Sequence, residues 1–171
     1  GHIDSVAYGS SLIFSGADKL IINTLWEADA EVVSFLSKKF GKQCIVASID
    51  VKMNNQNIKE VYVNRGNRSV GCSAIQWAMF CEKNGAGEIF FNNINHDGNR
   101  KGYDLETISE ISKKVKIPLI AFGGVFSWKH VLEGLNAGAD AVAAANIFHY
   151  KEMAIKQAKR YLLRQNIKIR N

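Results

Sequence analysis

Cysteine is scarce in this sequence: Cys44, Cys72 and Cys81 are the three in 171 residues. The number is odd and the spacing is not that of a metal site, which excludes a disulfide scaffold and suggests a reducing, cytoplasmic setting. Cys44 lies in an apolar run and reads as a small buried hydrophobe. Nothing in the pattern calls for a metal or a cofactor. No apolar run approaches the roughly 18 residues of a membrane span, and the N-terminus lacks a signal-peptide pattern. Linkers and low-complexity segments are missing too, so residues 1–171 read as a single domain. The net charge is +6, yet the basic residues are scattered, with only a modest concentration from Lys151 to Arg170. That segment reads as an amphipathic helix with a solvated face. The charge suits anionic, phosphate-bearing substrates better than nucleic acid.

What is present is an alternation. A helix over Ser5–Ser15, with Val6, Leu12, Ile13 and Phe14 apolar, stops at Gly16. The strand Lys19–Asn23 follows, then a helix over Ala30–Phe40 with Val32, Val33, Leu36 and Phe40 on one stripe. Gln43–Asp50 is the next strand. Lys52–Ser69 is a long loop or small hairpin around Val61, Tyr62 and Val63. Ser73–Asn84 is a helix with Ile75, Met79 and Phe80 inward, feeding the strand at Ile89, Phe90 and Phe91. Asp104 caps a helix to Lys114, and Ile117–Phe122 is a strand breaking at Gly123-Gly124. Trp128–Ala137 is helical, Ala141–Ala145 is the last strand, His149 stands in a short polar stretch, and Glu152–Arg164 closes the chain. Strand and helix alternate five times, as in a parallel βα repeat. A repeat supports it: Ser15-Gly16-Ala17-Asp18, Asn84-Gly85-Ala86-Gly87 and Ala137-Gly138-Ala139-Asp140 each join a helix to a strand. Glycine there ends the helix in a left-handed conformation.

Chemistry collects where strands end. Asn23-Thr24, Asp97-Gly98, Gly123-Gly124 and Ala145-Asn146 are small or amide pairs whose backbone N–H groups suit phosphate oxygens. In βα barrels the loops after the last two strands are the usual phosphate site. Asp50 closes an apolar run and would point into the barrel mouth, where burial tunes a carboxyl for proton transfer; capping the next loop is its plainer role. Asp97 reads as a turn or phosphate-loop residue, since Asp-Gly is a common turn pair. His96 and His149 are lone histidines. Lys19 and Glu88 begin strands at the opposite end, where they pair or stay solvated.

Together, SGADKLIINT, CIVASIDVK, GAGEIFFNNINHDGNRKGYDLE, IPLIAFGG and AGADAVAAANIFHY resemble the cyclase subunit family of imidazole glycerol phosphate synthase over essentially the whole chain. The resemblance implies a (βα)8 TIM barrel, here an N-terminally truncated one with about five parallel strands, its first three strands absent. It implies that Asp50 is one of two catalytic carboxylates, the other lying in the absent part. Gly1, Asn23 and Thr24 match one phosphate site; Asp97, Gly98, Gly124, Ala145 and Asn146, with Gly123 and Asn92 beside them, match the other. Lys19 and Glu88 match the charged gate at the barrel floor, which receives ammonia from a glutaminase partner. The ammonia converts the ribulosyl substrate PRFAR to imidazole glycerol phosphate and AICAR.

Two departures follow. Five strands leave two unpaired sheet edges, open to self-association or to completion by another chain. The loop FNNINHDG places Asn92, Asn93 and Asn95 where the family carries Thr-Ser and a further Asp, and Asn146 replaces a serine. An amide-rich site resembles that of a paralogous branch, which adds amidino groups to bacterial surface sugars with a glutaminase-like partner. An inactive fragment that keeps only phosphate binding is a further alternative.

Overall fold

Ser5 accepts a hydrogen bond from the Tyr8 N–H and opens α1, Val6–Phe14, in a computed structural model that describes residues 3–150 and 152–169. The elements then run β1 Leu20–Ile22, α2 Leu25–Ala28, α3 Ala30–Phe40, β2 Ile45–Met53, β3 Lys59–Val63, β4 Arg68–Ser69, α4 Ala74–Lys83 and β5 Glu88–Asn93. They continue with α5 Leu105–Ser112, β6 Leu119–Phe122, α6 Trp128–Asn136, β7 Ala141–Val142, α7 Asn146–Tyr150 and α8 Ala154–Arg164. β1, β2, β5, β6 and β7 lie side by side in that order and all pair in parallel. This is the five-strand parallel sheet the alternation predicts.

The repeated glycine junctions do what the sequence suggests. Gly16, Gly85 and Gly138 have φ of 101°, 111° and 108°. After each, the alanine N–H reaches back to the carbonyl five residues earlier: Ala17 to Leu12, Ala86 to Cys81 and Ala139 to Gly134. One device thus ends three helices and starts three strands.

β2 is the spine. It extends three residues past Asp50 because the β3–β4 hairpin pairs antiparallel with its far half, Asp50 facing Tyr62 and Met53 facing Lys59. The residues read as a loop or small hairpin are therefore a hairpin, and Asp50 lies inside the strand, not at its end. Along β2, Ile45, Ala47, Ile49 and Val51 are buried under the helices. The opposite face is set by register: Ser48, Phe90 and Ile120 form one row, and Asp50, Asn92 and Phe122 the next.

Several expectations need correcting. Met79 and Phe80 face outward at 48% and 36%; α4 turns Ala74, Trp77, Ala78 and Cys81 inward instead. Cys44 is only half-buried, its thiol near the Phe40 carbonyl at 3.2 Å. β7 pairs for two residues only, because the chain turns into α7, which holds His149.

Candidate functional site

Asp50 projects from the inner face of β2 with an amide on each carboxylate oxygen. The Asn92 Nδ2 donates to Oδ1 at 3.1 Å, and the Asn23 Nδ2 donates to Oδ2 at 3.3 Å and to the Ser48 carbonyl at 3.1 Å. Burial pushes this carboxyl above its ordinary range; the Asn92 amide opposes the shift and the Asp97 charge adds to it. A carboxyl so placed holds its proton to higher pH than a surface aspartate and can donate it.

Two cavities flank Asp50 at the carboxyl ends of the strands. One, of about 480 Å³, is lined by Asn23, Thr24 and Asp50 itself, with Asn64 and Arg65 of the hairpin turn. The Asn64 N–H donates to the Thr24 hydroxyl at 3.0 Å, tying the β1 loop to that turn. The other, of about 270 Å³, is lined by Asp97, Gly98, Gly123, Gly124, Ala145 and Asn146, together with Arg100 and Phe126. Sequence reasoning placed the first six of these together and missed the last two.

Gly123 and Gly124 admit no other residue. Their φ values are 98° and 85°. A Cβ on Gly124 would stand 2.4 Å from the Gly102 carbonyl, and one on Gly123 would stand 2.6 Å from Asn92 Oδ1. That Asn92 oxygen is buried and has no hydrogen-bond partner among the described residues. The loop that carries Asp97 and Gly98 is fastened by the other asparagines. Asn93 Nδ2 donates to Asp104 Oδ2 at 2.8 Å, and Asn95 Oδ1 accepts from the Met53 N–H at 2.8 Å.

Asp104 is a hub that sequence reasoning saw only as a helix cap. It accepts from Lys59 Nζ at 3.0 Å and from the Thr107 hydroxyl at 3.0 Å, and it is 5% exposed. Burial would raise its pKa, but Lys59, Asn93 and Thr107 overcome that and hold it low. Burial would likewise lower Lys59, but Glu106 and Asp104 raise it. The hairpin is thereby bolted to β5 and α5.

At the other end of the sheet, Lys19 and Glu88 form an ion pair. Gly1 lies outside the described residues. Among the described residues, no cluster of His, Cys, Asp and Glu could hold a metal ion, and no helix is long and apolar enough to cross a membrane.

A parallel βα sheet with ligand-sized cavities at the carboxyl ends of its strands defines a protein of the βα-barrel class. The chain belongs to the histidine biosynthesis protein family, whose profile matches residues 1–154. It is 40% identical over 170 residues to the imidazole glycerol phosphate synthase subunit HisF of Pyrobaculum aerophilum. The same identity holds to the subunits HisF of Dehalococcoides mccartyi, over 171 residues, and Lachnoclostridium phytofermentans, over 172. Each match takes in 99% of this chain and 67% of the relative.

Proposed function

We propose that this chain is a cyclase-type subunit of imidazole glycerol phosphate synthase, which uses ammonia from a glutaminase partner to convert PRFAR to imidazole glycerol phosphate and AICAR. The observation that carries the reading is the placing of Asp50. A carboxyl with a raised pKa sits in the mouth beside one cavity, while a second, glycine-rich cavity opens across the sheet. In this reading Asn23 and Thr24 hold one phosphate of the substrate. Asp97, Gly98, Gly123, Gly124, Ala145 and Asn146 cradle the other. Held between them, the substrate carbonyl takes up ammonia and loses its oxygen as water; Asp50 in its acid form supplies a proton to that oxygen. Asn92 orients Asp50. Lys19 and Glu88, paired at the far end of the sheet, are the gate through which ammonia enters from the glutaminase.

The asparagines bear on the alternative. Asn92 and Asn93 donate their Nδ2 groups to Asp50 and Asp104, while Asn95 accepts from the Met53 N–H through Oδ1. Two of the three amide donors are thus engaged within the fold, which favours the histidine-pathway reading over amidino modification of surface sugars.

The test is turnover of PRFAR with an ammonium salt replacing the glutaminase. Parent turnover, lost by at least about a hundredfold in Asp50→Asn, is the expected result. Undiminished turnover in the variant removes Asp50 from the mechanism, and a parent without turnover leaves the inactive-fragment reading.

A further inference from the structure

The glycine-rich cavity contains a cation that the phosphate reading does not use. Among the described residues lining it, Arg100 and Asp97 are the only charged ones. Arg100 occupies a left-handed backbone conformation, φ 58°, which is unfavourable for an arginine. Its guanidinium carbon lies 4.6 Å from the centroid of the Phe126 ring, on the loop that follows β6. The contact bridges two loops across the cavity mouth, and none of the ion pairs among the described residues engages Arg100. The ring fixes the direction of the guanidinium while leaving its N–H edge available, because stacking uses the face and not the donors.

The electrostatics favour such a group. Backbone N–H groups at Gly98, Gly123 and Gly124 are neutral donors, while the Asp97 carboxylate opposes any anion that enters. Phe122, Val125 and Ile147 add apolar wall, where charges are weakly screened. A cation beside a bound phosphate offsets the Asp97 charge there.

We propose that Arg100, carried on the Phe126 ring, is the cationic ligand of this cavity and selects a phosphate dianion over a neutral hydroxylated group. The inference rests on the phosphate reading of the cavity. Its test is titration of the full chain with inorganic phosphate and, separately, with glycerol, followed by amide NMR shifts. Gly98, Gly123, Gly124 and Asn146 report on this cavity, and Asn23 and Thr24 on the other. The expected result is saturable shifts at the first four amides with phosphate and none with glycerol. Arg100→Ala then weakens phosphate there by roughly tenfold or more, while the response at Asn23 and Thr24 is unchanged, which shows an intact fold. Arg100→Lys restores part of the affinity, and Phe126→Leu weakens it by a smaller factor. Unchanged affinity in Arg100→Ala overturns the role of Arg100 and spares the phosphate reading. A parent without shifts at those four amides overturns both.

Discussion

Asn92 faces two demands that it cannot satisfy together. Its Nδ2 is drawn to the Asp50 carboxylate, which turns Oδ1 toward Gly123, where it has no partner. Among the described residues nothing donates to that oxygen. The Asn92 N–H favours the ionised form of Asp50 against burial and Asp97, which favour the acid. Asn92→Leu removes that donor, so the limb of the pH–rate profile that reports Asp50 should move to higher pH. An unmoved limb would show that Asn92 does not tune the carboxyl. The sequence makes Asp50 visible because a lone carboxylate closes an apolar run. It hides Asn92, whose role depends on the register that sets β5 against β2.

Among the elements, the hairpin is the one whose attachment could not be foreseen. Lys59 and Asp104 are 45 residues apart in sequence, and no local pattern joins them. Asp104→Ala uncaps α5, leaves the Asn93 amide without its partner and leaves Lys59 with Glu106 and Thr107 alone. With Lys59 about one-third exposed, the loss should be roughly 2–4 kcal/mol in urea unfolding. Glu106→Ala, at a 76% exposed side chain, should change stability by no more than about 0.5 kcal/mol. Equal effects would refute the hub. The pH dependence follows from the directions of the shifts. Asp104 is held low, so its contribution is full above about pH 4 and disappears as pH falls through the depressed value. Lys59 is raised, so its contribution is full below about pH 10 and is lost as pH rises through the raised value. The regular helices were legible because serine, aspartate and glycine mark their ends. The short α2 and α7 were not, because single turns in strand-end loops carry no periodicity. Met79 and Phe80 mislead because apolar character alone does not say which face the smaller Ala78 and Cys81 occupy.

The whole molecule is a sheet covered on one side. The face away from the helices carries Ile21, Phe90, Ile120 and Phe122, with Ile21 57% exposed. β1 and β7 each pair on one side only among the described residues. An apolar face that is exposed at Ile21 and half-buried at Phe90, Ile120 and Phe122, set between open edges, favours association. Sedimentation velocity at tens of micromolar should therefore show species larger than one chain, and Ile21→Lys should shift the distribution toward the monomer. A monodisperse monomer at that concentration would contradict the expectation. The parallel order was legible in the alternation of strand and helix. How the inner face is covered is not written in any local pattern.

The strand order also makes the sheet a measure of length. Thr24 follows β1, and Gly123-Gly124 follows β6, with β2 and β5 between them. Three strand spacings put the two cavities roughly 14 Å apart along the sheet, with Asp50 one strand from the first. A ligand anchored by both ends is therefore gauged by the width of the strands it crosses. One whose anionic ends lie closer together than that span reaches only one of the two cavities at a time. Strand spacing is fixed by backbone hydrogen bonds, so side-chain substitutions in the mouth can change the grip at either end but not this span.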